Sequence, residues 1–153
     1  MGDTERLVAR AGVQDLTGPR TVHTVRAFGY LAQSGAADIV RRFDAALAND
    51  PSIQAIVLDV LDLDGFEPGV PARLIQWFGR NVAMVRVGVL ATLSPVLTAT
   101  VRAAGILQPN SRFGVAGTRA EAQQFALQLI ESRVREAGIR TRTPVSNARK
   151  VSG

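Results

Sequence analysis

Four carboxylates follow a short apolar run near the middle of the chain. In the segment IVLDVLDLDGFEPG, residues 56–69, the run IVL predicts a buried strand, and the acids come after it: Asp59, Asp62, Asp64 and Glu67. Two carboxylates spaced two residues apart at a strand end could perform phosphoryl transfer, one attacking phosphorus and the other helping to hold Mg²⁺. The alternative is a surface loop that another protein binds.

The DLDG stretch resembles the nucleophile motif of the haloacid-dehalogenase phosphatases. The resemblance implies Asp62 as the attacking carboxylate and Asp64 as a magnesium ligand. Thr92, after the next strand, would be the hydroxyl that such a site needs, and Arg102 or Arg112 would be the cation that neutralises the phosphoryl group. Phosphatase chemistry is therefore one hypothesis for this segment.

The remainder of the phosphatase motif is incomplete. The magnesium shell needs a further acid, yet no Asp follows Asp64, and the first carboxylate after Glu67 is Glu121, in a predicted helix cap. Phe66 also stands where that family has Thr or Val. A four-residue motif of common residue types arises easily by chance. The sequence therefore disfavours this enzyme.

Other catalytic chemistries lack their residues. The chain has no cysteine, which excludes disulfides, cysteine-ligated zinc and thiol catalysis. His23 is the only histidine, and its place in an apolar strand predicts a partly buried structural role. Neither a G-x-S-x-G elbow nor a G-x-x-x-x-G-K loop is present. We therefore expect a protein that is not an enzyme and that carries no metal or other cofactor.

The basic charge is concentrated at the C-terminus. The net charge is +5 and the pI about 11.2, but residues 137–153 contribute four basic residues and no acid. Residues 1–136 hold 14 basic against 13 acidic residues and are close to neutral. With one Tyr and one Trp, no aromatic platform for specific nucleic-acid binding is expected. We also expect no membrane span and a cytoplasmic location, since no apolar run is long enough for a span and the acidic N-terminus lacks a signal core.

Apolar spacing predicts alternating strands and helices. Strands are indicated by RTVHTVRAFGYL, IQAIVLDV, AMVRVGVLA and SRFGVAG, with an extra strand in RLVARAG. The expected helices begin at Ser34, Pro71 and Ser94, and a last long helix begins at a Thr118–Glu121 capping box. The sequence therefore predicts a single α/β domain, residues 1–137, in which about four helices cover a mostly parallel sheet of four or five strands. Residues 138–153 would form a basic tail.

From about Thr21 to Leu129 the chain resembles the STAS domain, in particular its SpoIIAA-like branch of anti-sigma-factor antagonists. The resemblance lies in the strand that ends in AFGYL, in AIVLDVLDLDGFEPG and the helix after it, in MVRVGVLA, and in TRAEAQQFAL after the last strand. It implies a phosphorylatable Ser or Thr at the start of the second helix, facing a kinase. Here the family's acid falls on Glu67, and its serine pair falls on Pro68 and Gly69, which have no hydroxyl.

The leading hypothesis is a non-catalytic STAS-like interaction module that lacks the phosphoacceptor. Its partner would be a regulatory kinase-like protein, bound through the loop and helix start at 62–73, with Phe66 and Val70 as apolar contacts beside the acids. The predicted site comprises Asp62, Asp64, Phe66, Glu67, Pro68, Gly69, Val70 and Arg73.

Two alternative functions remain open. One is a structural subunit or homo-oligomer assembled through the last helix and the basic tail. Another is an apolar pocket under the helices, like that of lipid carriers. Trp77 and Phe78 are adjacent, so both rings are not expected to point fully into the core; Trp77 is expected to be a boundary residue or part of an interface.

Overall fold

The computed structural model describes residues 11–132, and a five-stranded sheet organises them. The elements in chain order are β1 (Gly12–Leu16), β2 (Val22–Leu31), α1 (Gln33–Asn49), β3 (Ala55–Phe66), α2 (Val70–Arg80), β4 (Val87–Ala91), α3 (Pro95–Leu107), β5 (Arg112–Ala116) and α4, helical over 119–132. The predicted single α/β domain is confirmed. The predicted boundary at residue 137 and the basic tail lie outside the described residues.

The strands lie side by side in the order of the chain, β1-β2-β3-β4-β5. β1 pairs antiparallel to β2, and the other three pairs are parallel. The extra strand was expected in RLVARAG, most of which lies outside the described residues; the described strand β1 begins at its last residue, with Gly12 paired to Phe28 and Leu16 to Thr24. Parallel strands joined by helices place the carboxyl ends of β2, β3, β4 and β5 at one edge of the sheet.

The two faces of the sheet carry separate apolar clusters. On one face, α1 and α2 pack on β2 and β3, with Ile39, Phe43 and Phe78 buried. On the other face, α4 buries Ala122 and Ala126 against Val57. Strand β3 contributes to both clusters because its side chains alternate between the faces. Among residues 11–132, no helix is long and apolar enough to cross a membrane.

Two of the predicted helix caps are present in the structure and one is not. Ser94 caps α3, its hydroxyl accepting a hydrogen bond from the Leu97 N–H at 3.3 Å, and Thr118 accepts one from the Glu121 N–H at 3.1 Å. The predicted cap at Ser34 is wrong: α1 begins at Gln33, and its N-cap is Ala32, two residues before Ser34, which makes no side-chain hydrogen bond. Packing of the apolar face of α1 determines that start, since propensity alone stabilises a helix weakly.

Trp77 and Phe78 both lie in the core, which corrects the expectation that only one of them would. Their side chains are 3% and 6% exposed, and their rings meet edge to face with centroids 6.0 Å apart. Trp77 packs on Phe43 of α1, while Phe78 packs on Phe113 of β5, with ring centroids 5.1 and 4.7 Å apart. Helix α2 is covered on both flanks, so two adjacent side chains can diverge and still be buried.

Candidate partner-binding surface

The end of β3 is strand where the sequence predicted loop. Pairing with β2 continues to Leu31↔Phe66, so the acids of the DLDG stretch lie on the sheet. Two register shifts interrupt the pairing, the first between Arg26↔Asp59 and Phe28↔Asp62. A shift of one residue exchanges the faces on which side chains lie. Asp62 is thereby placed beside Arg26, and it can pair with that residue.

The second register shift adds a further residue at Asp64. Gly29 pairs with Leu63 but Tyr30 pairs with Gly65, so Asp64 has no direct partner in the register. Gly29 has φ of 77°, a left-handed conformation that glycine adopts readily. The extra residues lengthen β3 beyond β4, which ends opposite Asp59 at Ala91. The end of the β2–β3 pair therefore projects past the rest of the sheet.

Charges on this projecting end are partly paired. Nη2 of Arg26 donates to Oδ2 of Asp62 at 2.8 Å, and the same guanidinium lies 4.5 Å from the centroid of the Phe28 ring. Asp64 is exposed and Glu67 is half-buried; within residues 11–132 neither makes an ion pair. These two acids are therefore available to a basic group on another molecule.

The turn between β3 and α2 is short and is held at several points. The Glu67 N–H donates to the Leu31 carbonyl at 2.9 Å, and Nε2 of Gln33 donates to the Pro68 carbonyl at 3.3 Å. Nη1 of Arg73 donates to both the carbonyl and Oε1 of Gln33, each at 3.1 Å. The turn is thus tied to the start of α1, and its shape is fixed before any partner arrives.

Gly69 is the residue that lets the turn enter α2. Its φ of 91° is left-handed, and a Cβ there would lie 3.2 Å from Nε2 of Gln33. Any other residue would strain the backbone and press on the Gln33 side chain. Pro71 in the first turn of α2 then suits the start of the helix, where no amide hydrogen is needed.

The structure separates the predicted site residues into three groups. Asp62, Asp64, Pro68 and Gly69 are exposed, and Glu67 is half-buried beside them. Arg73 is exposed too, but its guanidinium is engaged by Gln33. The third group consists of the two apolar residues Phe66 and Val70.

Val70 was predicted to offer an apolar contact to a partner, whereas the structure buries it. Its side chain is 2% exposed and belongs to the core, because the left-handed Gly69 turns the chain so that the first residue of α2 points inward. Phe66 is half-buried and packs against the same core. The surface at the turn is therefore more polar than the sequence suggested.

The carboxylates named in the phosphatase hypothesis have different surroundings. Asp59 is 2% exposed, with Oδ1 accepting the Leu61 N–H at 3.0 Å and Oδ2 3.4 Å from Nε of Arg119. Ala91 at the end of β4 pairs with Asp59, so Thr92 follows at the level of Val60. Asp62 lies two residues farther along β3, about 7 Å along the strand. Within the described part of the chain, no three His, Cys, Asp or Glu side chains are grouped to hold a metal ion.

His23 has the structural setting that its sequence context predicted. It lies on β2 with its side chain 19% exposed, and Nε2 is 3.1 Å from Oδ1 of Asp15. Its ring meets Phe43 edge to face, with centroids 6.3 Å apart. Arg42 donates to the other oxygen of Asp15 at 2.8 Å, so these polar groups tie α1 to the edge strand β1.

Sequence analysis did not locate an apolar cavity between the sheet and the helices α2 and α3. It has a volume of about 120 Å³ and opens to solvent. Leu58 and Val60 of β3 form its floor, and Leu74 and Ala104 belong to the helices that cover it. Of the sequence-based hypotheses, only the alternative of a pocket under the helices predicted such a feature. Apolar spacing indicates which faces are buried, but it does not show how closely those faces pack.

Several large apolar side chains are exposed around α3. Leu93, Val96, Ile106 and Leu107 are each more than 60% exposed. Ala104 is the only fully buried residue of that helix. Helix α3 therefore packs less completely on the sheet than α1 does.

Comparison with solved structures shows that this arrangement is the SpoIIAA fold of STAS domains. A protein of Shewanella loihica PV-4, described as an uncharacterized DUF3478-family protein with a SpoIIAA-like fold, superposes with a TM-score of 0.58 at 14% identity, covering 76% of this chain and 94% of its own. The anti-sigma factor antagonist SpoIIAA in its unphosphorylated form gives 0.53 at 17% identity, covering 81% and 98%.

An anti-sigma factor antagonist from Mycobacterium paratuberculosis gives a TM-score of 0.53 at 14% identity, covering 75% of this chain and 94% of its own. No protein-family model and no curated protein sequence matches the chain. The SpoIIAA-like fold implied by the sequence resemblance is confirmed, and identities this low establish the fold alone.

Proposed function

We propose that this chain is a cytoplasmic, non-catalytic regulatory module that binds a protein partner through the projecting end of β3 and the turn after it. We name this surface the acidic edge: Asp62, Asp64, Glu67, Pro68 and Gly69. The partner would present a basic surface, since Asp64 and Glu67 are the acids there without an ion pair in residues 11–132. Solved structures with this fold that are named anti-sigma factor antagonists support the regulatory class.

The observation that carries the proposal is the fixed shape of the turn. Gln33 and Arg73 hold it through hydrogen bonds to the Pro68 carbonyl and to each other. A surface ordered before binding loses less conformational entropy when a partner docks, so a small polar patch can bind more tightly than a flexible loop.

Binding at the acidic edge would not be switched by phosphorylation of that edge. Residues 62–73, DLDGFEPGVPAR, contain no Ser, Thr or Tyr. Where the STAS resemblance implies a phosphoacceptor, this chain has Pro68 and Gly69. We therefore propose that the interaction is constitutive or is regulated elsewhere, on the partner or on another surface.

The test is affinity capture from the native cells at near-physiological salt, with quantitative mass spectrometry. The wild type is compared with Asp64→Arg/Glu67→Arg, which reverses the unpaired acids. A matched control is Glu121→Arg/Glu131→Arg, which changes the net charge equally on exposed positions of α4. We expect one stoichiometric partner to be lost only with the acidic-edge variant, because like charges then face each other.

A different result would move the assignment to the alternative, a structural subunit. If the protein captures chiefly itself or a fixed assembly, and reversal of both acidic-edge charges changes nothing, the acidic edge is an ordinary turn. Equal losses with both charge-reversal variants would also contradict the proposal, since they would report net charge and not a site.

A further inference from the structure

The apolar cavity under α2 and α3 is lined almost entirely by hydrocarbon. Its walls are aliphatic and aromatic side chains from four strands and three helices, and Phe66, Trp77 and Phe113 are among the rings that face it. The floor is formed by β3 and β4, where Gly88 lies between larger residues. A cavity of about 120 Å³ with such walls offers dispersion contacts and no charge.

The few polar groups near the cavity already have partners. The Thr100 hydroxyl, the one polar side chain among the lining residues besides the indole, donates to the Val96 carbonyl at 2.9 Å. The indole N–H of Trp77 donates to Asp44 at 2.8 Å. An enclosed water needs two to four polar partners, so water is held poorly in this cavity.

We propose that the cavity binds an uncharged hydrocarbon group, either a small free molecule or the apolar end of a longer amphiphile. Its volume is close to that of an engineered apolar cavity of about 150 Å³ that stays dry and binds benzene. A single ring or a short alkyl segment therefore fits. This ligand site is separate from the partner-binding surface proposed above and does not depend on it.

The route into the cavity lies between α2 and α3. Pro71 and Leu74 of α2, and Leu97 and Val101 of α3, line it and remain partly exposed. Helix α3 is the more weakly buried of the two helices, with Ala104 as its only fully buried residue. A ligand can thus enter beside α3 and leave a polar end in solvent.

Trp77 makes the proposal measurable. It is the only tryptophan of the chain, and it lines the cavity. Bromine quenches indole fluorescence on close approach, so a brominated ligand in the cavity would quench all of the tryptophan signal. The probes are 1-bromohexane, as a free hydrocarbon, and 12-bromododecanoic acid, whose bromine is on the apolar end of an amphiphile.

The matched variants are Ala104→Leu and Ala103→Leu. Ala104 is buried and lines the cavity, so the added carbons would occupy the ligand's space; Ala103 is its exposed neighbour on α3. We expect saturable quenching of the wild type and Ala103→Leu, with affinity at least tenfold lower for Ala104→Leu. If Ala104→Leu does not fold, Val101→Phe replaces it.

The outcomes decide the proposal. Quenching by both probes identifies a site for hydrocarbon in general, and quenching by 12-bromododecanoic acid alone identifies a site for an amphiphile tail. Non-brominated dodecanoic acid should compete in the second case. Absence of saturable quenching by either probe, or equal affinities for the wild type and the cavity-filling variant, overturns the proposal.

Discussion

Trp77 of α2 donates a hydrogen bond of 2.8 Å from its indole N–H to Oδ1 of Asp44 on α1. The indole itself is 3% exposed and packs on Phe43, so its one polar atom is satisfied at the rim of the core. A buried N–H without a partner would cost free energy comparable to a lost hydrogen bond. Asp44 therefore lets the largest side chain of the chain lie under α1.

Replacing Asp44 by Ala should lower the free energy of unfolding by about 1 kcal/mol, because the indole N–H loses its acceptor. Urea denaturation followed by far-UV circular dichroism measures this, because the Trp77→Phe reference contains no tryptophan. Asp44→Asn keeps an acceptor oxygen, so its free energy of unfolding should fall by less than that of Asp44→Ala. The reference is Trp77→Phe: in that background Asp44→Ala should be nearly neutral, and an undiminished loss there would show that the carboxylate acts through another contact.

Replacement by alanine should change the stability of the fold in opposite directions at two glycines. A Cβ on Gly88 of β4 would lie 2.4 Å from Cε2 and 2.8 Å from Cζ of Phe78, whereas a Cβ on Gly105 of α3 would meet nothing closer than Cδ2 of Phe113 at 3.7 Å. Gly88→Ala should destabilise the fold by roughly 1–3 kcal/mol through overpacking. Gly105→Ala should stabilise it by about 0.5–1 kcal/mol, since glycine is unfavourable inside a helix.

Thermal and urea denaturation of the two glycine variants check this pair. Each changes one hydrogen to a methyl group, so they serve as controls for each other. A stabilising Gly88→Ala would mean that the Phe78 ring moves away easily and that α2 is less firmly packed on β4 than its contacts indicate.

Much of the fold was predictable from local patterns. Runs of β-branched residues bounded by turn residues predicted the strands β2, β3 and β5. The preference of hydroxyl side chains for helix starts predicted the caps Ser94 and Thr118. The start of α1 was not predictable in the same way, because tertiary packing there outweighs the preference of Ser34 for a cap. Burial of both Trp77 and Phe78 depends on neighbours on two sides of α2, which spacing along one helix does not reveal.

The local structure of the predicted site differs in several details from what the sequence indicated. Glycine and acidic residues at 64–67 predicted a loop, while the structure continues the strand through Phe66 by two register shifts. Such shifts depend on the partner strand, notably on the left-handed Gly29, and not on β3 alone. The burial of Val70 has a similar origin, since the turn at Gly69 sets which way α2 faces.

Asp50 provides a pH-dependent prediction. Hydrogen bonds from the Ser52 hydroxyl at 2.6 Å and the Ser52 N–H at 3.0 Å lower the pKa of this carboxyl from its usual 3.8, with a smaller contribution from the charge of Arg20. A folded-state pKa below the unfolded value gives stability that is present above pH 3.8 and is lost as the pH falls through the folded pKa.

Ser52→Ala should therefore raise the pKa of Asp50 while leaving the backbone hydrogen bond in place. The ionised carboxyl should then contribute less to the free energy of unfolding at acidic pH. Carboxyl NMR titration measures the pKa directly. Asp50→Asn, which removes the titrating group, serves as the control for stability measured against pH. An unchanged pKa in Ser52→Ala would assign the shift to the backbone amide and to Arg20.

The cavity under α2 and α3 also has an energetic consequence that needs no ligand. Side chains that line a cavity of about 120 Å³ lack packing partners on that side, so filling it should add dispersion contacts. Ala104→Leu would place three further carbons there and should raise the free energy of unfolding by about 1 kcal/mol, since strain offsets part of the gain. Ala103→Leu adds the same group on the exposed side of α3 and should change stability by less than about 0.5 kcal/mol. A loss of more than about 1 kcal/mol in Ala104→Leu alone would mean that the walls are too rigid to accept a branched group, and a native ligand would then have to be slimmer than leucine.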